Sequence, residues 1–141
     1  MAGQAGGVRV SMPGPDEHGW WSAAVQSAGP GTDYGFLVDD DDNPYPDPRS
    51  RWQPKGVHGL SRVYDQSAFT WSDAGFHAAP LASAVIYELH VGTFTPRGTL
   101  DSAIEKLDAL KDLGITHVEL MPVAAFEGHH GWGYDGVALY A

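Results

Sequence analysis

The sequence predicts an α/β protein in two parts, a set of short antiparallel strands followed by a strand–helix–strand unit. Its 141 residues change character near residue 80, where a stretch rich in Gly, Pro and Asp gives way to longer apolar runs. Short strand-forming runs separated by turn signals are typical of a β-sandwich, and strands alternating with an amphipathic helix are typical of a parallel sheet. We therefore assign residues 1–80 to a partial β-sandwich and residues 81–141 to the strand–helix–strand unit.

Three short strands are predicted in the first part, over residues 19–25, 34–38 and 61–65. Trp21, Ala23 and Val25 alternate along the first of them, as in a half-buried strand. Pro30–Thr32 reads as a turn before the second. The four aspartates 39–42 favour an acidic turn after it, and they lack the alternating ligands and central glycine of a calcium loop.

The second part predicts a βαβ unit. Val85–Val91 is rich in β-forming residues, and nearly every position has a bulky side chain, as in a buried parallel strand. Thr99 is a predicted N-cap and Gly114 a predicted C′ glycine. Between them a helix presents one apolar face, formed by Leu100, Ala103, Ile104, Leu107 and Leu110. Val118–Met121 is the next strand, so the two strands should be parallel and their crossover right-handed.

Charge and composition exclude several classes of function. Eight Lys and Arg stand against 18 Asp and Glu, a net charge of −10, which opposes binding to nucleic acid or to an anionic membrane. The chain has no cysteine, so disulfides and thiolate metal sites are excluded. No apolar run approaches the roughly 20 residues of a membrane span, and no signal peptide is visible. We expect a cytoplasmic protein of undetermined oligomeric state.

Three motifs in the second part resemble enzymes of the α-amylase superfamily that act on α-glucans. Tyr87–Thr95 resembles their first barrel strand, Leu113–Val123 their first helix end and second strand, and Trp132–Gly136 the loop that follows. The resemblance implies a (β/α)8 TIM barrel, a fold of about 250 residues. We therefore expect residues 81–141 to be the first βαβ part of such a barrel, and the sequence to be a fragment.

Motifs in the first part resemble one family in particular, the malto-oligosyltrehalose trehalohydrolases of glycoside hydrolase family 13. They are Pro30–Phe36, Pro46–Pro54, Gly56–Gly59 and Ser61–Asp65. The resemblance implies an immunoglobulin-like, early-set sandwich before the barrel. It also implies retaining hydrolysis of the α-1,4 bond next to the terminal trehalose, without metal or cofactor. A glycogen-branching or debranching relative, or a non-catalytic glucan-binding fragment, remains an alternative.

Tyr134, Trp132 and Asp135 are the candidate substrate-binding residues. Tyr134 matches the family tyrosine whose ring packs against the sugar at the cleavage site, and an aromatic face suits the apolar face of a pyranose. Trp132 and Asp135 lie in the same loop, although packing and loop hydrogen bonding are the simpler roles for them. No catalytic residue is assigned within this chain, because the resemblance places the family's three carboxylates on later strands.

Two further pairs of polar residues have structural interpretations. Glu88 and His90 lie within the first predicted barrel strand, where we expect them to form a hydrogen-bonded structural pair. His129 and His130 are adjacent and lack a third ligand at regular spacing, so no metal site is predicted. Glu88, Glu119 and Asp135 are carboxylates near the expected site, but none is given a catalytic role.

Overall fold

The computed structural model describes residues 7–141 and has an α/β architecture. Along the chain its elements are β1 (Asp33–Tyr34), β2 (Ser61–Arg62), β3 (Ile86–Leu89), α1 (Val91–Phe94), α2 (Leu100–Ile104), α3 (Leu107–Asp112) and β4 (His117–Leu120). Two short 3₁₀ turns precede β3, at Gln66–Ala68 and Leu81–Ser83. β1 pairs with β2 and β3 pairs with β4, so the described residues form two small sheets.

The first half of the chain contains less sheet than its sequence predicts. β1 and β2 pair antiparallel over two residues each, and Phe36 forms an isolated bridge with Tyr45. The strand predicted over residues 19–25 is wrong, because that stretch has no strand structure and both Trp21 and Val25 are exposed. An alternating pattern forms a strand only where a second strand pairs with it, and none of the described residues does so.

The side chain of Arg62 stabilises the β1–β2 pair by binding Asp33 on the opposite strand. Its guanidinium donates to both carboxylate oxygens of Asp33, with Nε–Oδ1 at 2.5 Å and Nη2–Oδ2 at 3.1 Å. The same group lies over the ring of Trp52, 4.9 Å from the centroid. The hydrogen bond from Arg62 holds the pKa of Asp33 below its usual value, and Lys55 adds a smaller attraction in the same direction. A two-residue ladder is thus reinforced by side chains.

A polar network fills the space beneath this sheet. The hydroxyl of Tyr34 donates to Oδ2 of Asp47 at 2.7 Å, and the backbone N–H of Asp47 donates to Oγ of Ser61 at 2.9 Å. Ser50 donates to the carbonyl of Trp52 at 3.0 Å. Both serines are buried. Each of these buried hydroxyls has a hydrogen-bond partner, which removes the cost of desolvating it.

The second half confirms the predicted parallel pairing. β3 and β4 align from Ile86 opposite His117 to Leu89 opposite Leu120. The N–H of Met121 donates to the carbonyl of Leu89 at 2.9 Å and so extends the ladder by one residue. The helices between the strands provide the long connection that a parallel pair requires.

The predicted helix ends are confirmed, but the helix between them is divided. Thr99 accepts from the N–H of Ser102 in a capping box. Gly114, at φ +94°, donates to the carbonyl of Lys111, and the next N–H donates to Leu110, as in a Schellman motif. Lys106 donates to the carbonyl three residues before it, a tight turn that separates α2 from α3.

The apolar face predicted for this helix is only partly buried. Ala103 and Leu110 are buried, whereas Leu100, Ile104 and Leu107 are exposed. None of the other described elements covers these three side chains. The same holds for β3, in which Leu89 is buried and Ile86 is exposed, contrary to the prediction of a buried strand.

The accessible surface of the whole chain reflects this incomplete burial. It amounts to 11575 Å², whereas a globular protein of 15.1 kDa exposes about 7,000 Å². Within residues 7–141, no helix has the length and apolar character needed to cross a membrane.

Candidate functional site

The loops that follow β3 and β4 leave the same edge of the parallel sheet. β3 ends at Leu89 and β4 at Leu120, opposite each other in register. Parallel strands point the same way, so residues 90–99 and residues 121–141 both begin at this carboxyl edge. Ligand sites of α/β proteins occur at such edges, because the loops there converge.

The loop after β3 is closed by a buried hydroxyl cluster. Oγ1 of Thr95 lies 2.5 Å from Oγ of Ser102, which also donates to the carbonyl of Thr99 at 2.8 Å. Gly98 approaches the backbone of Gly92 so closely that a Cβ atom at Gly98 would lie 2.9 Å from the Gly92 carbonyl oxygen. The loop is therefore held at both ends, by the turn α1 and by the start of α2.

The loop after β4 folds back on itself. The N–H groups of Val137 and Ala138 both donate to the carbonyl of Ala125, and the N–H of Ala125 donates to the carbonyl of Ala141. Gly133 is buried at φ +87°, and a Cβ atom there would lie 2.0 Å from the carbonyl oxygen of Pro122. Only glycine fits this contact. The backbone between Trp132 and Tyr134 is therefore packed against Pro122, just after the end of β4.

The three predicted substrate-binding residues lie together on this loop. Trp132 and Tyr134 are 73% and 70% exposed, and Asp135 is also exposed. Among the described residues, no side-chain partner engages these three by hydrogen bond or salt bridge. Two accessible aromatic rings and a free carboxylate suit a neutral sugar, which offers apolar C–H faces to rings and hydroxyl groups to the carboxylate.

The expected pair of Glu88 and His90 is not formed. β3 ends at Leu89, so His90 lies outside the strand, at the start of the turn α1. Glu88 is exposed and stands in register with Glu119 on the neighbouring strand. Nε2 of His90 instead lies 2.9 Å from the carbonyl oxygen of Gly131, in the loop after β4.

Two contacts from the first half of the chain reach the same loop. Nε2 of His58 lies 2.5 Å from Oε2 of Glu127, and the guanidinium of Arg49 lies 5.4 Å from the ring centroid of Tyr140. Neither contact could be predicted from the sequence, since both join residues far apart in the chain through exposed side chains. They connect residues 46–59, which carry two of the motifs described above, to the candidate site.

His129 and His130 are exposed in this loop and approach no set of metal ligands. Throughout residues 7–141, no group of three or more His, Cys, Asp or Glu side chains is arranged to hold a metal ion. Two open surface depressions lie elsewhere, one lined by Val38–Asp41 with Tyr45, the other by Tyr64, Gln66, Phe69 and Trp71.

The chain is similar to α-amylase-type proteins. A 1.4 Å crystal structure of a Salmonella typhimurium protein, provisionally named an alpha amylase, superposes with a TM-score of 0.85 and 46% identity, over 92% of this chain and 22% of that one. No protein-family model matches. The fold is thus of the α/β type found in an amylase-like protein.

Trehalohydrolases are similar over nearly the whole chain. The malto-oligosyltrehalose trehalohydrolase of Rhizobium sp. (strain M-11) is 55% identical over 97% of this chain, and that of Arthrobacter ramosus is 57% identical over 89%. A glycogen branching enzyme of Aliivibrio fischeri is more distant, at 28%. Over the segment that it covers, the chain is similar in sequence to the malto-oligosyltrehalose trehalohydrolases. It spans about a quarter of the length of these relatives.

Proposed function

We propose that these residues form part of an enzyme that hydrolyses the α-1,4-glucosidic bond next to the terminal trehalose of malto-oligosyltrehalose and releases trehalose. The observation that carries the proposal is the similarity to trehalohydrolases along nearly the entire chain. In this proposal residues 1–80 belong to an immunoglobulin-like sandwich and residues 81–141 begin a (β/α)8 barrel. A cytoplasmic location stays a prediction.

The carboxyl edge of the parallel sheet is the part of the substrate site that this chain would supply. Tyr134 and Trp132 are exposed on a loop whose backbone is fixed by the contact between Gly133 and Pro122. A loop backbone held in place presents its rings to a sugar without the entropic cost of ordering a mobile loop. We assign Tyr134 to the sugar at the cleavage site, with Trp132 and Asp135 beside it.

The bond-breaking carboxylates are proposed to lie outside these residues. A retaining glycosidase needs an acid and a nucleophile about 5–5.5 Å apart, in environments that give the two groups different roles. Glu88 and Glu119 are neighbours in register, but both are exposed in the middle of their strands and share one environment. Their environments do not differ in a way that would make one carboxyl group an acid and the other a nucleophile.

The test is to incubate the full polypeptide that carries this segment with maltoheptaosyl-trehalose and to measure released trehalose. Trehalose release at the expense of the substrate supports the proposal. New α-1,6 branches without trehalose would assign the polypeptide to the branching enzymes instead, and binding of the glucan without any reaction would favour a non-catalytic role. The 141-residue chain assayed in parallel should release no trehalose above a buffer control.

A further inference from the structure

His90 occupies a position between the two loops of the candidate site. It follows β3 directly and precedes the turn α1. Its Nε2 atom lies 2.9 Å from the carbonyl oxygen of Gly131, the residue before Trp132 and three before Tyr134. This hydrogen bond joins the His90 side chain to the stretch from Gly128 to Gly136. That stretch carries the predicted substrate-binding residues.

The surroundings of the ring define which nitrogen carries the proton. A carbonyl oxygen can only accept, so the bond to Gly131 requires a hydrogen on Nε2. Oγ1 of Thr93 lies 3.3 Å from Nδ1 and 3.4 Å from the carbonyl oxygen of His90, so its one hydrogen can be donated to either acceptor. The contact with Gly131 therefore requires a ring that carries a hydrogen on Nε2, and the Nε2–H tautomer also leaves Nδ1 able to accept from Thr93.

The backbone of His90 is held by hydrogen bonds. Its own carbonyl accepts from the N–H groups of Thr93 and Phe94, which closes the turn α1. The ring also lies against Gly92, where an added Cβ atom would stand 3.0 Å from Cε1. The ring is therefore confined in orientation, and a confined donor restrains the atom to which it is bonded.

The middle of the loop after β4, which contains Gly131, has little other restraint. Its stem is closed by the backbone bonds between Ala125 and residues 137–141, and Gly133 is packed against Pro122. The stretch between Phe126 and Gly133 contains glycines at 128 and 131, whose backbone has the widest conformational freedom. A hydrogen bond at Gly131 fixes this stretch between its two ends.

We propose that His90 is a positioning residue for substrate: through Nε2–H it holds the Gly131 carbonyl and so orients the loop that presents Trp132 and Tyr134 to the glucan. The proposal deepens the function proposed above and rests on it for the identity of the substrate. His90 does not touch the sugar in this account. Its effect on activity passes through the loop.

The experiment uses the full polypeptide labelled with 5-fluorotryptophan, in which the Trp132 resonance is identified by its loss in Trp132→Phe. In His90→Phe, which keeps the ring size and removes the donor, we expect the Trp132 resonance to shift and kcat/KM for maltoheptaosyl-trehalose to fall about 2- to 13-fold, the range of one neutral hydrogen bond. His90→Gln, whose terminal amide can replace Nε2–H, should restore both toward wild type. His117→Phe, at the opposite end of the sheet, is the control and should leave both unchanged.

Three outcomes would overturn the proposal. The first is a folded His90→Phe variant with an unchanged Trp132 resonance. The second is a His90→Gln variant that loses as much activity as His90→Phe. The third is a histidine nitrogen spectrum that shows His90 as the Nδ1–H tautomer. If His90→Phe does not fold, Thr93→Val removes the hydroxyl next to Nδ1 and should shift the same resonance by a smaller amount. If the polypeptide releases no trehalose, the proposed function fails, while the fluorine and tautomer measurements still decide the role of His90.

Discussion

Tyr34 illustrates, at the scale of single residues, how hydroxyl groups hold the first half of the chain. Its hydroxyl donates to Asp47, whose backbone N–H is in turn bound by the buried hydroxyl of Ser61. Burial, reinforced by the hydrogen bond and the charge of Asp47, raises the pKa of Tyr34 to about 12. The folded chain therefore retains the phenolic proton at a pH where the unfolded chain releases it.

This retained proton makes stability depend on pH in the alkaline range. A pKa raised on folding contributes stability that is complete below the ordinary tyrosine value of about 10 and is lost as the pH rises towards 12. We expect Tyr34→Phe to have a shallower loss of stability between these limits than wild type. Urea unfolding at several pH values, with an absorbance titration of the phenolates, measures it. An equal loss of unfolding free energy in the two proteins between pH 10 and pH 12 would contradict the assignment.

We expect Tyr134 to contribute directly to activity in the full polypeptide. If its ring stacks on the sugar being cleaved, Tyr134→Ala should lower kcat/KM about 5- to 150-fold, as expected for the loss of roughly 1–3 kcal/mol of aromatic contact. Tyr134→Phe keeps the face of the ring and should be milder. Melting temperature and kcat/KM are measured on the same preparations. An alanine variant that melts early but cleaves normally would give Tyr134 a structural role in the loop in place of the contact with the sugar.

At the scale of elements, the clearest sequence signals were those that act within a few residues. The N-cap at Thr99 and the C′ glycine at Gly114 were predicted because their hydrogen bonds close within one helical turn. The parallel pairing of β3 and β4 followed from the length of the helical connection. The turn at Lys106 that divides the helix was not predicted, because both flanking segments have helical sequences and no proline or glycine marks the boundary.

Contacts between distant parts of the chain could not be predicted in the same way. The motif that contains His90 indicated the strand, but its partner is a backbone carbonyl 41 residues away, and any residue offers a carbonyl. The exposed contacts of His58 and Arg49 likewise depend on how the loops are placed. The resemblance located Trp132, Tyr134 and Asp135 in one loop, and their roles toward a sugar stay predictions.

The capping box of α2 yields a prediction at this scale. Thr99→Ala removes the acceptor for the N–H of Ser102 and one hydroxyl of the cluster with Thr95, so the full polypeptide should lose about 1 kcal/mol of stability. Thr99→Ser keeps the acceptor and should lose much less. Thermal unfolding of both variants compares them. Equal losses would mean that the methyl group of Thr99, rather than its hydroxyl, is responsible.

At the scale of the whole molecule, the amount of exposed apolar surface exceeds what a chain of this size normally leaves in water. Ile104, Leu113 and Ile86 are more than half exposed on the helices and strands of the second half. The parallel sheet has two strands, each with one open edge among the described residues. Surfaces of this kind associate with other apolar surfaces when nothing covers them.

We therefore expect the isolated 141-residue chain to self-associate and to bind the dye ANS, which reports exposed apolar surface. Sedimentation velocity over a range of concentrations, with ANS fluorescence on the same samples, provides the measurement. The full polypeptide serves as the comparison and should bind less dye per molecule. A monomeric chain with a sharp cooperative melt and no dye binding would show that these surfaces are covered within the chain itself.

The parallel pairing of β3 with β4 also sets an order of events during synthesis. The partner of β3 lies beyond both helices, so a nascent chain emerging from the ribosome exposes an unpaired strand until residue 121 has left the exit tunnel. The hydrogen bond from His90 to Gly131 forms later still, after another ten residues have emerged. During translation, α2 and α3 can form before either of these contacts, because their hydrogen bonds are local. The loop bearing Trp132 and Tyr134 is the last of these features to be set.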